Sequence, residues 1–196
     1  MEILRAGTNL KLVRLEMDLS SFTTFLKMGI GTDGRLERVE AKAIELASKK
    51  FEPNSCLEFV MDVCVWGGDP RRAGKVRKLN KADQISKALK NAYNASKEAR
   101  TADALDAVLS INGLAVSFGS KHLKFLDPDR NVVLDSVISE RLGYPRNMKG
   151  YLDWLATCYE FLKLIRSADV SYPGVGKNGW RVSDVEMAIF NKIRSE

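Results

Sequence analysis

The chain has 196 residues, 45% of them hydrophobic, so it can bury a substantial core within one compact unit. Its 31 Lys and Arg outnumber 25 Asp and Glu, and the formal charge of +6 favours a polyanionic partner such as nucleic acid. The three cysteines are odd in number and form no C-x-x-C pair, which excludes a disulfide framework and a zinc ribbon, and we predict no metal site.

The N-terminal residues 1 to 18 are predicted to form a short strand or an extended arm. Charges at Glu2, Arg5, Lys11 and Arg14 interrupt the apolar run that a signal peptide needs, and no later stretch reaches the roughly 18 apolar residues of a membrane span. We therefore expect an intracellular, cytoplasmic protein without membrane contact.

Helical periodicity dominates the rest of the chain, which predicts an all-α fold of nine or ten helices in a single domain over residues 1 to 196. Thr101 is a good N-cap, and Ser183 and Glu186 have the spacing of a capping box for the last helix. The predicted helices cover residues 36–50, 55–66, 82–98, 101–111, 116–126, 132–142, 148–167 and 183 onward.

A basic segment follows Asp69 and Pro70. It places six positive charges in the eleven residues from 71 to 81. Such a local field suits phosphate contacts, and we take Arg71, Arg72 and Lys75 as candidates.

Two glycine turns resemble the centre of a helix-hairpin-helix motif, I-N-G-L-A-V-S at 111–117 and Y-P-G-V-G-K at 172–177. A short glycine turn between helices lets backbone N–H groups approach a phosphate closely. Only the first turn has a predicted helix on both sides, although a plain helix-loop-helix turn would explain it equally well.

From Ile111 onward, the order of turn, helix, linker and a "VVLD" run entering another helix resembles the helix-hairpin-helix DNA glycosylases, especially the 8-oxoguanine glycosylase branch. The resemblance implies two helical lobes around a DNA-binding groove, with the helix-hairpin-helix at about 101–126. It also implies that Asp135, which closes the "VVLD" run, is catalytic. The iron–sulfur branch of the superfamily is excluded, because it needs four clustered thiolates.

The lysine nucleophile of the bifunctional family members falls on Ser117 here, eighteen residues before Asp135 (135 − 117 = 18). The resemblance therefore implies a monofunctional enzyme, in which Asp135 stabilises an oxocarbenium-like sugar and activates a water, leaving an abasic site. Lys121 lies one helical turn after Ser117 on the same face, so a bifunctional glycosylase and lyase using Lys121 is the alternative.

A glycosylase flips its target base into a pocket with aromatic or apolar walls. We predict Phe118, Trp154 and Trp180 as pocket residues, out of a wider aromatic set that includes Tyr151, Tyr172 and Phe190. The predicted contacts with double-stranded DNA are the amides of Gly113 and Ala115, the side chains of Lys121 and Lys124, and the basic segment. We expect a monomer without a cofactor, apart from the monovalent cation that the resemblance implies at the hairpin.

The substrate base is open at this stage. The resemblance implies oxidised guanine, whereas the small residues near the hairpin would also suit a hypermodified cytosine of phage DNA, and thus a defence role. Two other classes stay open: a non-catalytic helix-hairpin-helix DNA-binding module, in which Asp135 is only a helix N-cap, and a helical protein-interaction domain.

Overall fold

The computed structural model describes residues 4–6, 9–12, 15–29, 34–173 and 179–196. Within these ranges the chain forms three short strands and ten helices. The strands are β1 (Leu4–Ala6), β2 (Asn9–Leu12) and β3 (Leu15–Asp18), and the helices are α1 (Ser21–Gly29), α2 (Arg35–Ser48), α3 (Pro53–Trp66), α4 (Pro70–Leu79), α5 (Ala82–Lys97), α6 (Thr101–Leu109), α7 (Val116–Leu126), α8 (Ser136–Leu142), α9 (Met148–Ser167) and α10 (Val182–Ser195).

The predicted all-α class is confirmed, because every long element of the chain is a helix. The strands form a small antiparallel sheet in the order β1-β2-β3, where the sequence predicted a strand or an arm. Leu15 and Met17 of β3 are buried, so the last strand of the sheet packs against the helical core.

The basic segment is itself a helix. Asp69 caps α4 by accepting a hydrogen bond from the Arg72 amide at 3.0 Å, and Pro70 occupies the first turn, where a missing N–H costs nothing. Ala73 and Val76 are the buried residues of α4. The helix therefore holds its positive side chains on a rigid surface.

Two predicted helix starts are wrong by one or two residues. The N-cap of α6 is Arg100, with Thr101 as the first helical residue. In α10 the capping interaction runs from the Arg181 amide to the Asp184 carboxylate, 3.0 Å away, so the Ser183 and Glu186 pair does not cap the helix. Ser183 and Glu186 are instead buried inside α10.

Helix α7 lies at the centre of the molecule and packs against α2, α3, α5, α6 and α9. A second group forms around α10, which packs against α1, α8 and α9. One continuous hydrophobic core joins the two groups. In the described part of the chain, no helix has both the length and the apolar character that crossing a membrane requires.

A candidate active-site cleft

The first glycine turn joins α6 to α7 as predicted. Gly113 has a φ of +96°, which favours glycine over other residues, and the Leu114 amide closes the turn by donating to the Ile111 carbonyl at 3.1 Å. Ala115 is the exposed N-cap of α7 and provides no side-chain cap. The start of α7 therefore lies beside the turn without a side-chain cap, which is the kind of helix N-terminus that can bind an anion.

Helix α4 fixes this hairpin from one side. The Arg72 guanidinium donates to the Gly113 carbonyl at 2.8 Å, and the Asn80 side chain exchanges two hydrogen bonds of 2.9 Å with the backbone of Asn112. Arg71 and Lys75 are exposed on the same helix. The hairpin and the basic helix thus form one continuous surface.

The hairpin fits a monovalent cation poorly. Cation binding would use its backbone carbonyls, yet those of Ile111, Asn112 and Gly113 already accept hydrogen bonds. The donor at Gly113 is the Arg72 guanidinium, whose positive charge would repel a second cation at that oxygen.

The "VVLD" run is extended, so the helix predicted over residues 132–142 begins only at Ser136. Val132 and Leu134 are fully buried, and the Leu134 amide donates to Ser120 Oγ of α7 at 3.0 Å. Trp154 Nε1 of α9 donates to the Val133 carbonyl at 2.9 Å. The run is therefore an anchored extended segment that presents Asp135 at a fixed place.

Asp135 caps α8 and also faces a lysine. Its Oδ1 accepts hydrogen bonds from the amides of Val137 and Ile138 at 3.0 and 3.2 Å. Its Oδ2 accepts from Lys121 Nζ at 3.3 Å, and the two side chains are only 14% and 8% exposed. One carboxylate oxygen is thus structural, while the other belongs to a shielded ion pair.

This ion pair lines a cleft of about 430 Å³ between the two groups of helices. Helix α10 contributes one face, and the C-terminal ends of α1 and α3 form part of the rim. The charged and aromatic side chains that line the cleft include Trp66, Lys121, Lys124, Asp135, Glu186 and Phe190.

Lys124 and Glu186 place two more charged groups in the cleft. Lys124 is 1% exposed and Glu186 4% exposed. Burial lowers the pKa of Lys124 and raises that of Glu186, and the attraction between the two opposes both shifts. Lys124 Nζ lies 4.9 Å from the Trp66 ring centroid and 4.5 Å from that of Phe125.

The aromatic pocket residues that we predicted are not the ones found in the cleft. Trp154 is fully buried in the core, where its indole holds the Val133 carbonyl. Trp180 packs against Phe22 and Tyr172 and lines a separate cavity. Its indole is held there by a 2.8 Å hydrogen bond to the Val170 carbonyl.

Phe118 stays next to the cleft but is covered by cations. The Arg72 guanidinium lies 4.3 Å and Lys121 Nζ 5.3 Å from its ring centroid. Phe118 therefore links the hairpin surface to the ion pair, and the aromatic residues that line the cleft are Trp66 and Phe190.

The burial of Lys121 and Lys124 removes them from the exposed surface that we predicted for phosphate contacts. Ser117 lies in the first turn of α7 and is half-buried, whereas Lys121, one turn later, reaches Asp135. The second glycine turn at 172–177 falls largely on residues 174–178, outside the described part of the chain.

Sequence reasoning missed Trp66 and Glu186. The capping-box pattern drew attention to Glu186 for the wrong reason, and a glutamate in an otherwise apolar helix face was the signal that was available. Trp66 is the last residue of the helix predicted over 55–66, and nothing in its local sequence distinguishes it from a core aromatic residue. Among the described residues, no group of three or more His, Cys, Asp or Glu is arranged to hold a metal ion.

Comparison with known proteins gives one match. The model of a family described as "Putative 8-oxoguanine DNA glycosylase OGG-like protein" matches residues 19–190. This range includes six residues that line the cleft, Trp66, Lys121, Lys124, Asp135, Glu186 and Phe190. No curated protein and no solved structure matches the chain.

Proposed function

Since the chain belongs to the OGG-like 8-oxoguanine DNA glycosylase family, we propose that it is a DNA glycosylase whose reacting groups are Lys121 and Asp135. The observation that carries this proposal is the 3.3 Å contact between the Lys121 amine and the Asp135 carboxylate inside a cleft of about 430 Å³. A nucleophile beside a general base is the arrangement that covalent catalysis requires.

In the proposed reaction Asp135 takes a proton from the Lys121 ammonium, and the neutral amine attacks C1′ of the flipped nucleotide. The bond from C1′ to the base breaks, its electron pair leaves with the base, and the proton held by Asp135 neutralises the departing anion. The sugar ring then opens as its oxygen takes a proton from the substituted amine, which leaves a Schiff base between Lys121 and C1′. The remaining carboxylate charge stabilises the positive sugar.

This route replaces the monofunctional one that the position of Ser117 implied. Lys121 supplies an amine one helical turn further along α7, and the shorter spacing to Asp135 is taken up by the extended segment before α8. The Lys121 side chain is held against Phe118 and Asp135, so its amine is directed at one place in the cleft.

Double-stranded DNA is the proposed partner, and the hairpin with α4 is the proposed contact surface. The N-terminus of α7, which no side chain caps, and the exposed side chains of Arg71 and Lys75 suit phosphates, which position a duplex without reading its sequence. Oxidised guanine is the substrate that we propose first, and hypermodified cytosine is the second substrate to be tested.

The decisive experiment is borohydride trapping on end-labelled duplexes that carry either a single 8-oxoguanine or a single glucosylated hydroxymethylcytosine. We expect the wild type to form a covalent adduct and, as the Schiff base loses a C2′ proton and the 3′-phosphate leaves by β-elimination, to cut the strand without alkali. Lys121→Gln should lose the adduct, and Asp135→Ser, which keeps a capping hydroxyl for α8, should lower base release roughly a hundredfold or more. Lys149→Gln changes an exposed lysine on α9 and serves as the control.

The other outcomes separate the alternatives. An adduct that persists in Lys121→Gln would contradict the assignment of Lys121. Asp135-dependent base release without an adduct would instead assign water as the nucleophile, which is the monofunctional route. Duplex binding without release of any base would leave Asp135 as an N-cap only, and this binding module is the second candidate because both capping hydrogen bonds are present.

A further inference from the structure

The buried Lys124 and Glu186 side chains that line the cleft have no role in the proposed reaction. Lys124 Nζ has no hydrogen-bond partner in any part of the chain that the structure describes, although its residue is only 1% exposed. A buried ammonium without a partner is costly, and proteins rarely keep one unless a ligand completes it. The ring centroids of Trp66 and Phe125 lie 4.9 and 4.5 Å from the amine, and the rings attract the cation but cannot accept a strong hydrogen bond. Three carboxylates also attract it without accepting a hydrogen bond from Nζ, those of Glu186, Glu40 and Asp184.

The position of Lys124 relative to Lys121 indicates which part of a nucleotide it meets. The two lysines are three residues apart on α7, which is about 4.5 Å along the helix and nearly the same face. Lys124 is also less exposed than Lys121, 1% against 7%, so it lies deeper in the cleft. A nucleotide with its sugar at Lys121 and Asp135 therefore extends its base toward Lys124.

Glu186 supplies the complementary group at the same depth. It comes from the opposite helix, α10, and faces the cleft with 4% exposure. Lys124 is a donor only, and the Glu186 carboxyl offers an acceptor oxygen in either protonation state, so together they match a ligand edge that carries one acceptor beside one donor. Trp66 and Phe190 provide the flat apolar walls that a planar ring needs.

We propose that Lys124 and Glu186 read the edge of the flipped base, with Lys124 donating to a ring carbonyl and Glu186 accepting from the adjacent ring N–H. This inference rests on the proposed function and deepens it, because it names the substrate as a base with a lactam edge. Oxidised and unoxidised guanine, hypoxanthine and uracil carry such an edge, whereas adenine and cytosine do not. The pair thus sets specificity, while Lys121 and Asp135 carry the reaction.

Binding to duplexes tests the proposal without any chemistry. The protein carries both Lys121→Gln and Asp135→Ser, so that neither the covalent nor the hydrolytic route can proceed, and its affinity is measured for duplexes with 8-oxoguanine, 8-methoxyguanine or 6-O-methyl-8-oxoguanine. Each methylation removes one of the two lactam edges of 8-oxoguanine. We expect the loss of the edge that is read to weaken binding about tenfold to a hundredfold, as for a hydrogen bond to a charged group.

Adding Lys124→Met or Glu186→Gln should then reduce this preference to less than about threefold by weakening only the 8-oxoguanine complex. Lys163→Met and Glu160→Gln make the same changes in an exposed ion pair on α9 and should leave the preference intact. A preference that survives Lys124→Met would overturn the proposal, and so would a parent protein that does not distinguish 8-oxoguanine from either analogue. Because no base is released in this assay, its result is independent of which nucleophile the enzyme uses.

Discussion

Asp127 and Lys124 are both buried charges at the C-terminal end of α7, yet only Asp127 is fully paired. The Asp127 carboxylate is 0% exposed and accepts hydrogen bonds from Ser96 Oγ at 2.8 Å, Lys97 Nζ at 3.1 Å and Arg130 Nη1 at 3.5 Å. Lys124 Nζ has no such partner within the described ranges. The same helix therefore ends in one charge that the fold satisfies and one that it leaves open to the cleft.

The difference separates a structural charge from a functional one. Ser96 also accepts from the Asn131 amide at 2.8 Å, and the Tyr151 hydroxyl donates to Asn131 at 3.0 Å, so Asp127 belongs to a closed network under the segment that leads to Asp135. Such a network fixes one geometry because each donor has its acceptor. Lys124 Nζ makes no comparable hydrogen bond in the described part of the chain, and in our proposal the ligand base provides the missing acceptor.

The largest stability effect is expected from breaking the paired charge. Asp127→Ala should lower the free energy of unfolding by roughly 3 kcal/mol, because the Ser96 hydroxyl and the Lys97 ammonium lose their acceptor, whereas Asn131 keeps the backbone carbonyl of residue 127. Urea denaturation measures this loss. Asp129→Ala, an exposed aspartate two residues away, is the matched control, and an equal loss in both variants would show that Asp127 is not a special charge.

His122 adds a buried group that is kept neutral, and it predicts a pH dependence. Burial lowers its pKa from 6.5 to about 4, and the nearby Lys121 charge acts in the same direction. His122 therefore becomes protonated near pH 6.5 in the unfolded chain but only near pH 4 in the folded chain. The stability that the neutral His122 provides is complete above pH 6.5 and decreases as the pH falls.

Between pH 7.5 and 5.0 this loss should amount to about 2 kcal/mol in the wild type. His122→Asn cannot titrate in this range, and its amide can replace the Nδ1 contact with the Phe118 carbonyl. The difference in unfolding free energy between the two proteins should therefore shrink by about 2 kcal/mol on acidification. A difference that stays constant with pH would mean that His122 titrates normally in the folded state.

The sequence was informative where local rules decide the outcome. Apolar periodicity predicted α7 and α9 within a residue of their ends. The turn before α7 was identified from the glycine in the I-N-G-L-A-V-S sequence at 111–117. Both features depend on residues close together in the chain. The apolar triplet before Asp135 is buried, but its assignment to a helix over 132–142 is wrong, because α8 begins only at Ser136.

The cleft depended on long-range packing and was predicted only in part. Whether an aromatic ring lines a cavity or fills the core is decided by the helices that meet around it, so Trp154 and Trp180 could not be told from Trp66. The pairing of Lys121 with Asp135 and the approach of Glu186 to Lys124 likewise require α7, α8 and α10 to be assembled. Spacing along one helix proposed Lys121 as a candidate, but only the assembled fold gives it a partner.

The smallest expected effect on stability is that of removing the Lys124 charge, and it is a gain and not a loss. Lys124→Met keeps the length of the side chain and removes an ammonium that the fold does not satisfy, so the unfolding free energy should rise by about 1 kcal/mol at pH 7. The gain is limited because the cation also loses its contacts with Trp66 and Phe125, and because Glu186 loses an attractive charge.

The double variant with Glu186→Gln removes the second of these costs and should be at least as stable as the single one, whereas Lys163→Met on the surface should change stability by less than about 0.5 kcal/mol. A loss of stability in Lys124→Met like that expected for Asp127→Ala would mean that the fold needs this charge, and the contrast between the two residues would disappear. A gain in stability together with a loss of base discrimination would mean that the protein keeps Lys124 for its ligand at the expense of its own stability.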